Sequence, residues 1–384
     1  MKILVVFIDM VRVDHLHTYN HEAKTSLIDK LLERLGGTVF TRCYSPGPDT
    51  PRSLACMQTG LYPHFNGCDT RIKWPKFFVK DEITTIWDHA VKEGWRVNLC
   101  CNKNESQIGF FKYEESSQIR HFYTPEEYMK GSDFIDHSIS FFGIPDMHTA
   151  ITDYNATDYA FQKGDEIVNM YFEKFLTDEY LSQFDYVVVF SDHGCQMVSE
   201  SKQMKSTLEL LDDGRNQLLM MVHKKGEKGM KKDERLASIT DLYATLEKLI
   251  GCSDFRQGYS LLDKPSRSIT HVEDHQDFKV YPEIMIKQWR VITDEYDIKT
   301  DVKNTVISKG TEKDVESVTS YLLEYSPHYA DYRKQLKVWD FYDTFKEDEN
   351  NDNKYFIGTE RPSKRRLFWL FAYLKFKRLL CSQK

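Results

Sequence analysis

Four residues of this chain could form a divalent-cation site that includes a nucleophile. Asp9 and the pair Asp192-His193 each follow a strongly apolar stretch, and Thr50 stands just before Pro51 in a run rich in proline and glycine. Carboxylates are hard anionic ligands, and a neutral imidazole is a common ligand of first-row metals. A coordinated cation activates a hydroxyl and draws charge from the oxyanion that develops on a substrate. We therefore interpret Asp9, Asp192 and His193 as metal ligands, with Thr50 as a further ligand and the nucleophile.

The imidazole of His193 bears on the identity of the cation. Calcium sites are built from oxygen throughout, so a mixed oxygen and nitrogen set favours Mn or Zn, with Mg or Ca as alternatives, for at least one ion. Each residue also has an ordinary structural role. An aspartate after a strand is often a helix cap, and Thr50 before Pro51 could be an N-cap only. The nucleophile interpretation depends on all four residues lying together.

Two kinds of local pattern must position these residues. Apolar runs alternate with segments of helical periodicity, which is typical of an α/β fold whose mostly parallel central sheet carries helices on both faces. The predicted strands are Ile3–Ile8, Thr38–Tyr44, Arg96–Cys101, Tyr186–Ser191 and Gln217–His223. The predicted helices are Ala23–Leu35, Pro51–Thr59, Thr84–Lys92, Asp158–Phe175 and Ala237–Ile250. Chemistry in such sheets gathers beyond the carboxyl ends of the strands, and the four site residues fall there together with Asn102 and Asn104.

The pattern changes at about residue 266. Short strands are predicted at Ser268–Val272, Lys279–Tyr281, Glu283–Val291 and Tyr296–Thr300. Two helices are predicted after them, at Glu312–Glu324 and Tyr329–Phe345. We therefore predict a catalytic α/β domain over 1–265 and a C-terminal subdomain over 266–345 with a small antiparallel sheet. Residues 346–384 are predicted to form an acidic loop and a basic aromatic tail.

Composition and charge exclude some functions. A net charge of −7 over 384 residues argues against general nucleic-acid binding, and eight cysteines without zinc-site spacing indicate a reducing cytoplasm. No run reaches the roughly 18 apolar residues that span a bilayer. The tail 361–384 has basic flanks around an apolar Leu367–Leu374, so it either contacts anionic lipid at the inner face of a membrane or packs on the body. Nothing in the sequence indicates an oligomeric state.

Several motifs in a fixed order resemble one family. The segments FIDMVRVDHL, GTVFTRCYSPGPDTPRSLACMQTGLYPHFNG, VVVFSDHG, ASITDLYATLEKLIG and FRQGYSLL follow one another over roughly residues 1–265. Together they resemble the sulfatase-like branch of the alkaline phosphatase superfamily. The resemblance implies that Asp9 is the first metal-binding aspartate, and that Asp192 and His193 are the second metal-binding pair. The C-terminal third matches this branch only in general character.

The nucleophile position departs from the sulfatase pattern. Thr50 falls ten residues before Gly60, where sulfatases carry the Cys or Ser that becomes formylglycine. Threonine cannot be that precursor, and family members with threonine here are phosphodiesterases and phosphoglycerol or phosphoethanolamine transferases. The resemblance therefore implies a phosphoester substrate, either small or linked to a glycan or lipid headgroup, and a covalent phospho-threonine that water or an alcohol resolves. Two alternatives stay open, namely sulfate ester hydrolysis without formylglycine and a noncatalytic binding role.

The resemblance also implies roles for residues around the nucleophile. His148, in DMHTAITDY, resembles a family histidine that contacts the ester or protonates the leaving group, so it is a second catalytic candidate. The family arginine after the nucleophile would fall at Leu54 and is missing. Arg52 is the candidate that replaces it in binding a substrate anion. His271 and His275 stand where some two-metal relatives have late ligands.

Four more polar residues are candidate substrate contacts. Asn102 and Asn104 take the place of charged residues that sulfatases carry after the third strand. Lys202 and Lys205 follow the Asp-His pair at about the distance of a family lysine that binds the anion, and the sequence does not distinguish between the two. The ordinary interpretation of these four residues is a turn asparagine or a surface lysine.

Overall fold

Two β-sheets organise the chain. The computed structural model describes residues 1–68, 79–101, 111–114, 116–132, 135–254, 256–264, 266–278 and 281–330. These residues form an eight-stranded sheet and, later in the chain, a four-stranded sheet. Most of the predicted helix Tyr329–Phe345 lies outside the described residues, as does the tail 361–384. Among the residues that are described, no helix is long and apolar enough to cross a bilayer.

The large sheet is mostly parallel, as predicted. Its strands are β1 (Lys2–Ile8), β2 (Gly37–Tyr44), β3 (Arg96–Cys100), β4 (Ile119–Phe122), β5 (Ser138–Ile144), β6 (Tyr186–Phe190), β7 (Met220–Lys224) and β8 (Met230–Ser238), in the spatial order β4-β3-β5-β1-β6-β7-β2-β8. The pairings are parallel apart from those of β7, which runs antiparallel to β6 and to β2. Three of these strands, β4, β5 and β8, have no predicted counterpart.

Helices flank this sheet, and three of them start later than predicted. They are α1 (Leu27–Leu35), α2 (Thr50–Thr59), α3 (Pro63–Asn66), α4 (Ile86–Lys92), α5 (Pro125–Gly131), α6 (Asp146–Asp153), α7 (Asp158–Lys174), α8 (Asp178–Leu181), α9 (Val198–Gln203), α10 (Asp213–Asn216) and α11 (Thr240–Ile250), with 3-10 turns at Val13–His15 and Thr207–Leu211. Helix α1 begins at Leu27 because Ser26 and Asp29 form a reciprocal capping box. Helix α11 begins at Thr240 because the preceding residues, through Ser238, belong to β8.

Alternate side chains of β1 lead into two separate hydrophobic clusters. Ile3, Val5 and Phe7 belong to a cluster that includes buried side chains of α2, α4 and α11. Leu4 and Val6 belong to a second cluster with buried side chains of α1, α6 and α7. Successive side chains of a strand point to opposite faces of its sheet, so helices cover both faces. This arrangement confirms the predicted fold class.

The small sheet is antiparallel, as predicted. Its first two strands are longer than the predicted ones, its third is one residue shorter, and its fourth has no predicted counterpart. The strands are β9 (Ile269–Phe278), β10 (Tyr281–Thr293), β11 (Asp297–Thr300) and β12 (Thr305–Lys309), in the order β12-β11-β10-β9. Helix α12 (Asp314–Tyr325) packs on this sheet, with Val318 and Leu322 against Trp289, Val291 and Ile298. Strand β9 also reaches the large unit, because the Glu273 amide donates to the carbonyl of Pro46 at 2.8 Å.

Candidate active site

Two neighbouring parallel strands bring three of the predicted metal ligands together. Asp9 directly follows β1, and Asp192 and His193 follow β6 with Ser191 between. The two strands pair in parallel with Phe7 opposite Phe190, so they end at the same edge of the sheet. One ligand atom from each of the three side chains lies within 4.8 Å of the other two, and all three residues are buried. In the described part of the chain, these three side chains form the group of carboxylate and imidazole ligands that could hold a metal ion.

The Thr50 hydroxyl lies inside this group. Its Oγ1 is 3.4 Å from Asp9 Oδ1 and 3.2 Å from His193 Nε2. Thr50 is the first residue of α2, and the N-cap is Asp49, whose side chain accepts from the amide of Arg52. The capping role that could have explained Thr50 therefore belongs to its neighbour. The Thr50 side chain is directed across to the ends of β1 and β6.

The atoms of this group are arranged to receive a cation. The ring Nδ1 of His193 lies 2.6 Å from the Gly194 carbonyl, which can only accept, so Nδ1 donates and Nε2 presents a lone pair. That Nε2 lies 3.3 Å from Asp192 Oδ2, a buried oxygen that accepts no hydrogen bond in the described structure. Two acceptors this close repel each other unless a cation or proton lies between them. The residues therefore fit a divalent metal ion.

The charge state of Asp192 supports the same interpretation. Burial, and then the nearby charge of Asp9, raise the pKa of Asp192 to about 6. Two carboxylates in one buried site are costly without positive charge. A cation would hold both in the ionised form.

His148 contacts the same group from a third strand. It lies on α6, which follows β5, and β5 is the other parallel neighbour of β1. Its Nδ1 is 3.1 Å from Asp9 Oδ2, on the carboxylate oxygen that faces away from Thr50. The His148 side chain is 41% exposed, whereas the Asp9 side chain is 5% exposed. His148 is therefore a solvent-accessible imidazole with a buried carboxylate as its partner.

Arg52 does not face this group of atoms. Its guanidinium is fully buried, with Nε 2.6 Å from Asp49 Oδ2 and Nη2 3.3 Å from Asp274 Oδ1. A third contact, at 3.2 Å, joins Nη1 to the Glu273 carbonyl. The structure thus places Arg52 in an internal ion-pair network rather than at a surface that a substrate anion could reach.

The two predicted lysine contacts are not brought to the site. Lys202 is exposed on α9, Lys205 is exposed just after it, and neither contacts the four site residues in the described structure. Asn102 and Asn104 lie outside the described residues.

The late histidines are buried in the small subdomain instead. His271 Nε2 and His275 Nε2 lie 3.3 Å and 3.7 Å from opposite oxygens of Glu273. The other ring nitrogen of His271 is 2.8 Å from the Tyr321 hydroxyl. These contacts are those of a buried polar cluster between β9 and α12, separate from the candidate metal group.

A cavity of about 860 Å³ is lined by the segments that follow the same three strands. Arg12 follows β1, Met147 precedes His148 after β5, and Glu200 follows β6, and all three line it. The four site residues are not in its wall, so the cavity neighbours the site. Arg12 holds two of these segments together, because its guanidinium bonds Glu200 at 2.5 and 2.6 Å.

Known proteins with a similar structure share the fold described above. Residues 2–110 match the family model described as Sulfatase. No curated protein matches the chain by sequence. Among solved structures, a 2-O GAG sulfatase superposes with a TM-score of 0.64 at 15% identity, and the alignment covers 95% of this chain and 99% of that protein.

Two further solved structures extend the likeness beyond sulfatases. A protein in the alkaline phosphatase superfamily from Vibrio parahaemolyticus has a TM-score of 0.58 at 14% identity, covering 86% of this chain and 87% of its own. The phosphonate monoester hydrolase of Agrobacterium radiobacter has a TM-score of 0.57 at 11% identity, covering 89% and 95%. At these identities the likeness establishes the fold.

Proposed function

We propose that this chain, which shares the sulfatase fold and matches the Sulfatase family model over residues 2–110, is a metal-dependent hydrolase or transferase that acts on a phosphoester through Thr50. One observation carries the proposal. The Thr50 hydroxyl lies within 3.4 Å of both Asp9 and His193, inside the candidate metal group. A hydroxyl held there has no capping role in α2, since Asp49 is the N-cap.

Asp9, Asp192 and His193 would hold the cation, with Thr50 Oγ1 as a further ligand. The mixed oxygen and nitrogen donors favour Mn or Zn over Mg or Ca. When bound, the cation would acidify the Thr50 hydroxyl and offset negative charge on the ester oxygens. The buried Asp192 oxygen that accepts no hydrogen bond in the described structure supports this assignment.

The reaction that we propose uses two side chains of the chain directly. Thr50 Oγ1 attacks phosphorus, an Oγ1–P bond forms, and the bond from phosphorus to the leaving alcohol breaks. The Thr50 proton passes to solvent. His148 donates a proton to the leaving oxygen, because its Nδ1 is held by Asp9 and its exposed edge faces solvent. Water or an acceptor alcohol then releases the phospho group from Thr50.

The choice of phosphate over sulfate follows from the nucleophile. Threonine cannot yield the formylglycine on which ordinary sulfatases depend, whereas its hydroxyl can attack phosphorus directly. A phosphonate monoester hydrolase is among the structures with this fold, which supports phosphorus chemistry here. A GAG sulfatase shares the fold as well, so sulfate ester hydrolysis without formylglycine is the second candidate. We propose a substrate of small-molecule, glycan-linked or lipid-linked type.

A substrate panel with paired variants tests the proposal. Aryl phosphodiesters, phosphomonoesters and sulfates would be assayed with Mn, Zn, Mg and Ca, and phosphoester turnover is expected. Thr50→Val keeps the side-chain shape without the hydroxyl and should lower kcat at least 1,000-fold, roughly the worth of a nucleophile. Thr59→Val is the matched control, since that hydroxyl ends the same helix and donates to the Ala55 carbonyl. Mass spectrometry should detect a covalent phospho adduct on the peptide bearing Thr50.

The other outcomes discriminate between the candidates. Preferential turnover of sulfates that persists in Thr50→Val would replace the phosphoester proposal. Absence of both turnover and divalent-metal binding would indicate a noncatalytic member of the family.

We also propose a cytoplasmic location in which the tail 361–384 contacts anionic lipid. Its basic flanks and apolar centre support this role. Sedimentation with phosphatidylserine vesicles should capture the full chain, release it at high salt, and fail with a chain that ends at residue 360. Equal capture by neutral vesicles would contradict an electrostatic contact.

A further inference from the structure

A buried carboxylate of the small sheet connects two of the segments that form the candidate site. They are the turn over residues 45–50, which ends at the nucleophile Thr50, and the segment after β6 that carries His193. Asp274 lies on β9 and has no exposed surface. One of its oxygens is 3.3 Å from Arg52 Nη2, and the other is 2.5 Å from Arg215 Nη1. The two guanidinium groups therefore each pair with a different oxygen of the same carboxylate.

Arg52 carries this connection to the nucleophile turn. It stands two residues after Thr50, and its Nε lies 2.6 Å from the carboxylate of Asp49, the N-cap of α2. The turn packs closely on the Arg52 stem, because a Cβ added at Gly47 would lie 2.7 Å from Arg52 Cβ. The Arg52 guanidinium is therefore bonded to the residue that caps α2, next to Thr50.

Arg215 carries the connection to both sides of the site. Its Nη2 lies 3.3 Å from the carbonyl of Pro48, two residues before Thr50. Its own carbonyl accepts the amide of Gly194 at 2.8 Å, next to His193. A shift of Arg215 would thus move the nucleophile turn and the His193 segment together.

The charges of the network balance only when all four groups are present. Arg52, Arg215, Asp49 and Asp274 supply two positive and two negative charges, and three of these residues are buried while the Arg215 side chain is 12% exposed. A buried ion pair that loses one partner leaves an uncompensated charge, and the remaining groups rearrange to solvate it. The arginines would then move away from the positions that fix the turn.

We propose that Asp274 is a positioning residue for Thr50, acting through Arg52 and Arg215. The inference rests on the proposed function, because it assigns the small sheet a part in the same catalytic site. Displacing a nucleophile by a fraction of an ångström lowers the rate of the chemical step more than it changes substrate binding. Loss of Asp274 should therefore lower kcat and leave KM nearly unchanged.

The test compares Asp274→Asn with Asp241→Asn. Asp241 is an equally buried carboxylate, on α11, that pairs with the buried Arg267. The substitutions are chemically the same, and both break a buried aspartate–arginine pair. At temperatures where both variants remain folded, kcat should fall at least tenfold in Asp274→Asn with KM within twofold, and less than threefold in Asp241→Asn. Equal losses of kcat in the two variants would overturn the proposal.

Hydrogen exchange gives a second readout that does not need a substrate. In Asp274→Asn, peptides covering 45–53 and 192–196 should exchange at least tenfold faster than in the wild type, and in Asp241→Asn they should not. If the wild type turns over no ester in the panel, the proposed function has failed, and this exchange pattern alone decides whether Asp274 holds the two segments. Unchanged exchange in both segments would overturn the positioning role.

Arg215→Lys covers the case in which Asp274→Asn does not fold. Lysine keeps the positive charge but cannot bond Asp274 and the Pro48 carbonyl with a rigid planar group. Its kcat should fall at least fivefold at constant KM, with faster exchange over 192–196. Wild-type values of both would count against the proposal.

Discussion

The hydroxyl oxygen of Thr50 lies 3.2 Å from Nε2 of His193, although 143 positions separate the two residues in the chain. Nδ1 of the same ring donates to the Gly194 carbonyl at 2.6 Å, so Nε2 presents its lone pair to the hydroxyl. A second contact fixes the spacing, since Ser53 Oγ donates to the Asp192 carbonyl at 2.7 Å. Two contacts therefore join the first turn of α2 to the segment after β6.

Divalent metal should stabilise the protein through Asp9, Asp192 and His193. A ligand that binds only the folded state at about 100 times its Kd adds about 2.7 kcal/mol, so Mn or Zn should raise Tm by several degrees and a chelator should reverse it. Asp192→Asn should weaken binding at least tenfold by titration calorimetry. Asp158→Asn, at a side chain that is 91% exposed, is the matched control. An equal Tm shift in both variants would place the metal elsewhere.

Loss of His148 should matter most for poor leaving groups. An alcohol with a high pKa needs a proton as it departs, whereas nitrophenolate does not. His148→Asn should therefore lower kcat about 100-fold for an alkyl phosphodiester and less than fivefold for a nitrophenyl one. The Asp9 contact at 3.1 Å gives the imidazole its partner. Equal losses for both esters would remove His148 from proton transfer and leave it a role in binding.

The sheet edge that carries the candidate site was predictable because its strands are almost uniformly apolar. The segments KILVVFI and YVVVF contain one polar residue, Lys2, and the structure gives their ends within one residue of the prediction. Strand β5 was missed because SISFFGI carries two buried serines that interrupt the pattern. Strand β8 was missed because it is an edge strand, and its MKKDER segment reads as a solvated loop.

The surroundings of Arg52 could not be predicted from local sequence. Its spacing from Thr50 is compatible with a substrate contact, and nothing nearby in sequence indicates otherwise. The group that draws its guanidinium inward is Asp274, 222 positions away on a strand of the other sheet. Periodicity predicts which face of an element is buried, but it does not identify the partner of a buried charge.

Acid should destabilise the protein partly through His275. Burial lowers the pKa of His275 from 6.5 to about 3, against the opposing charge of Glu273. The folded state therefore keeps the ring neutral while the unfolded chain takes up a proton, so this contribution is complete above pH 6.5 and is lost as the pH falls toward 3. The loss amounts to about 1.4 kcal/mol per pH unit.

His275→Gln should remove this part of the pH dependence. Urea unfolding at intervals between pH 7 and pH 4 would give the slope for each protein, and the variant should show the shallower one. If the two slopes are parallel, the ring does not stay neutral in the folded state, and protonated His275 paired with Glu273 would be the better description.

The turn that ends α2 should require glycine for two separable reasons. Gly60 has a φ of +66°, and a Cβ there would lie 2.5 Å from Tyr243 Cδ1. Gly94 has a φ of +81° with nothing within 4 Å of its Cβ position, so it shares the backbone cost without the clash. Gly94→Ala should cost about 1 kcal/mol and Gly60→Ala about 3 kcal/mol or more in urea unfolding. In a Tyr243→Ala background, Gly60→Ala should cost less than it does in the wild type, and equal costs at both glycines would show that Tyr243 does not restrict the turn.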